Sequence, residues 1–213
     1  MRSQGKEKKA EDSQSTKATI LRVAEEIFAQ RGFDGARVEE IARQAGINQA
    51  MIYYYFKSKD DLLEEVIKTK LEEVREFRRQ MKEQRPIPAL LSTQVLDFIN
   101  TRSKFLKILL METVTSAPRE RTIFRLLDLV TTEGKAGTKG ETDRFKTEEE
   151  RRLAFFFFAI MPVACFSIFQ EQWSEYYGSD LAKDGRTFIE TLNSLPALFR
   201  KGPQQPQPPA AAG

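Results

Sequence analysis

Apolar residues recur every three to four positions along almost the whole chain, and this periodicity restricts the fold more than any other feature. Ile20, Ala24, Ile27 and Phe28 stand at i, i+4, i+7 and i+8, one face of a helix that should end at Gly32. Val38, Ile41, Ala42 and Ala45 repeat the pattern over a shorter stretch closed by Gly46. A third short helix follows Asn48 and carries Ile52, Tyr55 and Phe56 inward. Ser58-Lys59-Asp60-Asp61 has the spacing of a capping box and starts a longer helix with the stripe Leu63, Ile67, Leu71, Val74 and Phe77. Pro86 and Pro88 stop it. Further helical segments lie near 89–102, 104–115, 119–133, 148–173 and 180–200, and the Gly/Lys/Thr-rich stretch 134–147 reads as a loop. No alternation of strand type and no internal repeat is present, so the fold class is all-α.

Composition narrows the chemistry. The 213 residues include no histidine, which removes Ser-His-Asp and Cys-His catalysis and histidine-liganded zinc. The single cysteine, Cys165, lies in an apolar run and is expected to be buried and inert. No catalytic residue, metal or cofactor is expected. Lys and Arg number 34 against 31 Asp and Glu, a net charge of +3 that is too small to announce nucleic-acid binding on its own. The N-terminus is polar and lacks the apolar centre of a signal peptide, so a cytoplasmic location is expected. Residues 1–14 are expected to be a disordered arm, and the Pro- and Gln-rich residues 202–213 a disordered tail. Lys6, Lys8 and Lys9 can form a basic arm that follows DNA or, with Glu7, Glu11 and Asp12 interspersed, a solvated tail.

Leu153 to Phe169 is a run of 17 residues without a charge, at the lower edge of the roughly 20 that a membrane span needs. Pro162 interrupts it, and the charged residues 148–152 precede it. A helix covered on nearly all sides, between a core and a subunit partner, is favoured over a membrane anchor.

Two short amphipathic helices joined by Ala45-Gly46-Ile47-Asn48 have the outline of a helix-turn-helix. Gly46 can take the left-handed conformation that closes the first helix, and Asn48 can cap the second. Gln49 and Ala50 would then face a major groove. Gln can bond bidentately to adenine, and Ala permits close approach or a thymine-methyl contact. Tyr53, Tyr54 and Tyr55 point about a hundred degrees apart on a helix, so at least one hydroxyl must reach outward, beside Lys57 and Lys59. On spacing alone a solvated helical hairpin with aromatic packing stands beside this reading.

The stretch from Ile20 to Leu63 resembles the N-terminal domain of tetracycline-repressor-type (TetR-type) transcriptional regulators. The matching marks are Phe28 with Gly32-Phe33, then Ile41-Ala42 with Ala45-Gly46-Ile47, and Ile52 to Phe56 followed by Lys59 and Leu62-Leu63. The resemblance implies a helix-turn-helix domain over 15–60 and a helical ligand-binding and dimerisation domain over 61–201. It implies a dimeric DNA-binding regulator, usually a repressor, that meets a pseudo-palindromic operator on double-stranded DNA. By the same correspondence Gln49, Ala50 and Tyr53 lie at base edges or adjoining phosphates, and Tyr54, Tyr55 and Lys59 hold the backbone. Arg37 stands where the family commonly has a capping Ser or Thr; it cannot cap, but its guanidinium suits a phosphate. Ala50 and Met51 replace common Gly and Ser/Thr positions, so Met51 is either a thymine contact or packing.

The resemblance also gives the second half two jobs. The last two helices would form a four-helix interface with their symmetry mates, for which Phe156, Phe188, Leu192, Leu195 and Phe199 are candidates, with ordinary intramolecular core as the alternative. Phe98, Phe105, Leu109, Met111, Phe124 and Phe166 are candidates to line an apolar effector cavity, with Gln94, Asn100 or Glu112 fixing a polar group. A small apolar effector would release the dimer from DNA. The alternative from a different class is a small helical enzyme acting on a hydrophobic substrate, although the stretch from Gly134 to Gly140 does not fit the phosphate-binding loop pattern.

Overall fold

The structure, a computed structural model, describes residues 2–84, 93–115, 122–132 and 147–198. The described residues are helical, with no strand among them: α1 Arg2–Gly35, α2 Val38–Gln44, α3 Gln49–Tyr55, α4 Lys59–Gln84, α5 Thr93–Asn100, α6 Ser103–Thr115, α7 Thr122–Thr132, α8 Glu148–Phe155, a π-helical turn Phe156–Ile160, α9 Met161–Tyr177 and α10 Leu181–Leu198. The all-α expectation therefore holds.

The stripe on α1 is the spine of the fold. Ile20, Val23, Ala24, Ile27 and Phe28 are buried, against Leu62, Val66, Ile67 and Leu71 of α4 and Phe105, Ile108 and Leu109 of α6. The same cluster takes in Ile41, Ala42, Ile52 and Phe56, so the core runs without a break from α2 and α3 into the helical body. A second cluster, Leu96, Val163, Ile189 and Leu192, joins α5, α9 and α10, with Phe166 stacked on Phe188 at 4.2 Å.

Several boundaries differ from the sequence expectations. Helix α1 begins at Arg2, inside the arm expected to be disordered over 1–14. Its Lys, Glu, Gln and Ala residues are good helix formers, and extending an existing helix avoids the cost of nucleation. At Gly32, the expected stop, the backbone takes φ 69° and ψ 175° and leaves helical geometry, so the long helix breaks there as expected and a single separate turn follows to Gly35. A side chain at Gly32 would be strained there and would also press on Met111 of α6, 3.1 Å from the added carbon. Helix 148–173 widens into one π-helical turn at Phe156–Ile160, where the Met161 N–H reaches the Phe156 carbonyl, and continues as α9 to Tyr177. Pro162 supplies the reason. It has no N–H and its ring crowds the carbonyl four residues back, and one wider turn relieves that clash. The tail 202–213, Pro86, Pro88 and all but Thr147 of the loop 134–147 lie outside the described residues.

Ion pairs pin the spine to its neighbours. Lys17 meets Glu65 at 2.9 Å and Glu25 meets Lys70 at 3.0 Å, both between α1 and α4. Arg102, just before α6, reaches Glu73 of α4 at 2.8 Å. The hydrogen bond from Lys17 outweighs partial burial and holds the Glu65 carboxyl below its ordinary value. A carboxylate with a lowered folded pKa stabilises the fold above its unfolded pKa, and that contribution fades as pH falls through the folded value. Glu65→Gln should therefore lower stability by up to about 1 kcal/mol at pH 7, the upper range for a partly exposed pair. Urea unfolding curves of the two proteins should converge once the pH is well below the carboxylate range.

Candidate nucleic-acid interface

The geometry of α2 and α3 is set by their shared turn. Gly46 has φ 70°, and two backbone bonds close α2 around it: Ile47 N–H to the Ala42 carbonyl at 3.0 Å and Gly46 N–H to the Arg43 carbonyl at 3.3 Å. The Asn48 side chain then accepts from the Met51 N–H at 2.9 Å and starts α3. Val38, Ile41 and Ala42 of α2 and Ile52 of α3 are buried, which leaves the opposite edge of α3 facing outward. Arg37 precedes α2 and makes no cap, as its side chain requires. Glu39 and Glu40 occupy that helix's first turn.

On the outward edge Ala50 is exposed, Gln49 and Met51 are half-buried, and Tyr53 and Tyr54 are 50% and 76% exposed. Tyr55 turns back and shares a hydrogen bond with Ser13 of α1 at 3.0 Å, its ring edge-on to Tyr54. Arg37 and Lys57 are exposed and meet no acidic side chain among the described residues, so their charges are available to an anionic partner. Arg43 lies 3.8 Å from Glu40, which Arg31 holds at 2.8 Å.

Lys59 is placed differently from a simple phosphate contact. Its ammonium donates to the carbonyls of Phe33 at 2.8 Å and Ala36 at 3.1 Å and sits 4.3 Å from the centre of the Phe33 ring. It therefore closes the end of α1 against the start of α4. Ser58 accepts from the Asp61 N–H, and Asp61 accepts from the Lys57 N–H, which fixes that start. Two further partners could not be read from spacing: Ser13 for Tyr55, 42 residues away, and Glu39, which accepts from the Gln49 amide at 2.9 Å.

The six candidate effector residues fall in separate environments. Phe105 and Leu109 are buried in the main core, and Met111 lies against Gly32. Phe98 stacks on Phe77 at 3.7 Å, with the Arg102 guanidinium on its ring. Phe166 belongs to the second cluster, and Phe124 lies near the surface, 5.6 Å from Phe156. Of the named polar groups, Asn100 accepts from the buried Ser167 hydroxyl at 2.7 Å, Gln94 is exposed and Glu112 is half-buried. One surface recess, between α1, α6 and α9, is bordered by Glu26, Ala29, Gln30, Ser103, Lys104, Lys107 and Ile168, and none of the six effector candidates lines it.

The interface candidates divide as well. Leu192 is buried within its own chain beside Leu96, and Phe188 and Phe156 are half-buried. The Leu195 side chain and Phe199 lie outside the described residues. Exposed large apolar side chains instead concentrate from α8 to α9, at Leu153, Phe157, Phe158, Phe169, Trp173, Tyr176 and Tyr177, with Leu181 at the start of α10. Cys165, expected to be buried, is exposed on α9. The helix Glu148–Tyr177 is long and apolar enough to cross a membrane by length and composition, and most of its surface is not covered by the rest of the chain.

Residues 20–66 match the family described as bacterial regulatory proteins, tetR family. The transcriptional repressor NicS of Pseudomonas putida is 41% identical over 59 residues, 28% of each chain. The chain thus spans little more than a quarter of the length of such relatives. Solved structures extend the likeness in fold to the helical body. A transcriptional regulator from Streptomyces coelicolor, SCO4942, superposes with a TM-score of 0.58 at 19% identity, covering 84% of this chain and 96% of the other. The Bacillus subtilis regulator FadR, solved with stearoyl-CoA, gives 0.50 at 21% identity, covering 82% and 96%. The Gly46 turn, the Asn48 cap and the outward α3 edge all lie inside the matched segment, so residues 20–66 are similar to the N-terminal domain of the tetR family of bacterial regulatory proteins.

Proposed function

We propose that the chain is a dimeric, sequence-specific DNA-binding transcriptional regulator, a repressor that a small apolar effector releases from a pseudo-palindromic operator. The observation that carries this reading is the outward edge of α3. A capped seven-residue helix on a buried support offers Gln49, Ala50, Tyr53 and Tyr54 together, with the exposed cations Arg37 and Lys57 to either side. That combination suits base edges at the centre and phosphates around them. Such a protein works in the cytoplasm, where its DNA is.

The exposed aromatic surface of α8 to α9 supports a second copy of the chain as partner. Eight large apolar side chains left exposed between Leu153 and Leu181 call for a cover. Packing them isologously would set two α3 helices at a fixed separation, as a palindromic site requires. The charged residues at 148–152, with Glu171 and Glu175 near the far end, favour a protein partner over a bilayer. An apolar effector accords with the aromatic-rich body and with the stearoyl-CoA held by the Bacillus subtilis FadR of similar fold.

Gln49→Ala should cost about 1–3 kcal/mol on the selected operator and little on random duplex. Arg37→Ala should weaken both and lower the slope of log affinity against log salt by about 1. Lys59→Ala should act chiefly through stability, lowering the melting temperature by removing two carbonyl bonds at the end of α1. Fluorescence anisotropy on selected and scrambled duplexes, with melting curves alongside, checks all three; equal losses on both duplexes for Gln49→Ala would remove it from base reading. Phe158→Glu with Phe169→Glu should turn a dimer into a monomer by light scattering and abolish binding to a two-half-site operator. An unchanged mass would put the interface elsewhere.

A further inference from the structure

We propose that Glu39 of α2 is a specificity-determining residue, acting through Gln49 to make the protein prefer amino bases at one position of each half-site. The inference rests on the DNA-binding reading above and assigns a role to a residue outside the recognition helix. Glu39 and Glu40 are neighbours with different surroundings. Glu40 is matched by Arg31 at 2.8 Å and Arg43 at 3.8 Å. Glu39 is exposed, meets no cation among the described residues, and accepts a hydrogen bond from Gln49 Nε2 at 2.9 Å. Its place in the first turn of α2 suits the helix N-terminus, but Glu40 already fills that role, and an unmatched charge here would repel a nearby phosphate.

Hydrogen-bond chemistry supplies a use for Glu39. A carboxylate can only accept, so the Gln49 amide must meet it through nitrogen. This settles which way round the amide lies. One N–H is occupied, Oε1 is turned away from Glu39, and the second carboxylate oxygen of Glu39 is a further acceptor beside it. The pair therefore offers two acceptors and one remaining donor. In the major groove the only donors are the N6 amino group of adenine and the N4 amino group of cytosine, while guanine and thymine present keto acceptors at those places. An unconstrained glutamine can turn its amide over and donate to guanine instead. Glu39 holds the amide one way round and adds a carboxylate acceptor that opposes the keto oxygens of guanine and thymine, so the position it controls should favour adenine or cytosine although one N–H remains.

The test is selection of sites from random duplex DNA by the full chain, comparing wild type with Glu39→Ala, Glu39→Gln and Gln49→Ala. Wild type should show one position per half-site with amino bases enriched. In Glu39→Ala and Glu39→Gln that preference should fall roughly tenfold, with guanine or thymine entering and the other positions unchanged. Gln49→Ala should erase the preference at the same position. Random duplex should bind Glu39→Ala at least as tightly as wild type, since a negative charge has gone; a merely structural role would weaken binding to every sequence. An unchanged amino preference in both Glu39 variants would overturn the inference, as would effects of Glu39 and Gln49 at different positions. Failure of the wild-type chain to enrich any sequence would overturn the regulator reading itself.

Discussion

Everything in this molecule is arranged around the apolar stripe of α1. Ile20, Val23, Ala24, Ile27 and Phe28 are at most 2% exposed, and they are covered by α4 on one side and α6 on the other. Because α2 and α3 share the same cluster, the outward edge of α3 is tied to the helical body through packed side chains rather than through a hinge. Close-packed interiors transmit displacement instead of absorbing it. Packed side chains thus join α6 to α3 by way of α1, with Met111 lying against Gly32 on that route.

Charge reinforces this design locally. Lys59, Lys17, Lys70 and Arg102 all spend their charge on contacts between elements, to carbonyls at the end of α1 or to carboxylates on α1 and α4. Arg37 and Lys57 are left exposed beside α3. A net charge of +3 conceals this division, since the cations that hold the fold and those that face outward count equally in a sum. The opposite imbalance appears on α8 and α9. There the apolar surface exceeds what one chain buries, and Pro162 with its π turn lets the aromatic run continue as a helix instead of ending it.

Some features were legible before any coordinates because they depend on neighbours in sequence. The Gly46 turn and the Asn48 cap follow from steric freedom and short-range hydrogen bonding, and both appear as expected. Helix geometry likewise demands that at least one of three consecutive tyrosines face outward, and Tyr53 and Tyr54 do. The effector candidates Phe98, Phe124 and Phe166 were less tractable. Aromatic residues at helical spacing announce burial but not against what, and these three pack on Phe77, Phe156 and Phe188.

The amino-acid sequence by itself determined the all-helical class, the capped turn between α2 and α3, and the inward stripes of α1 to α4. These are consequences of backbone preference and of a 3.6-residue period, both local. Only the tertiary structure decided that Lys59 closes α1, that Leu192 is buried in its own chain while Phe158 and Cys165 lie exposed, and that Glu39 orients Gln49. Each of those depends on the angle and depth at which two helices meet. That geometry is fixed by the summed packing of many side chains, and no single spacing in the chain encodes it.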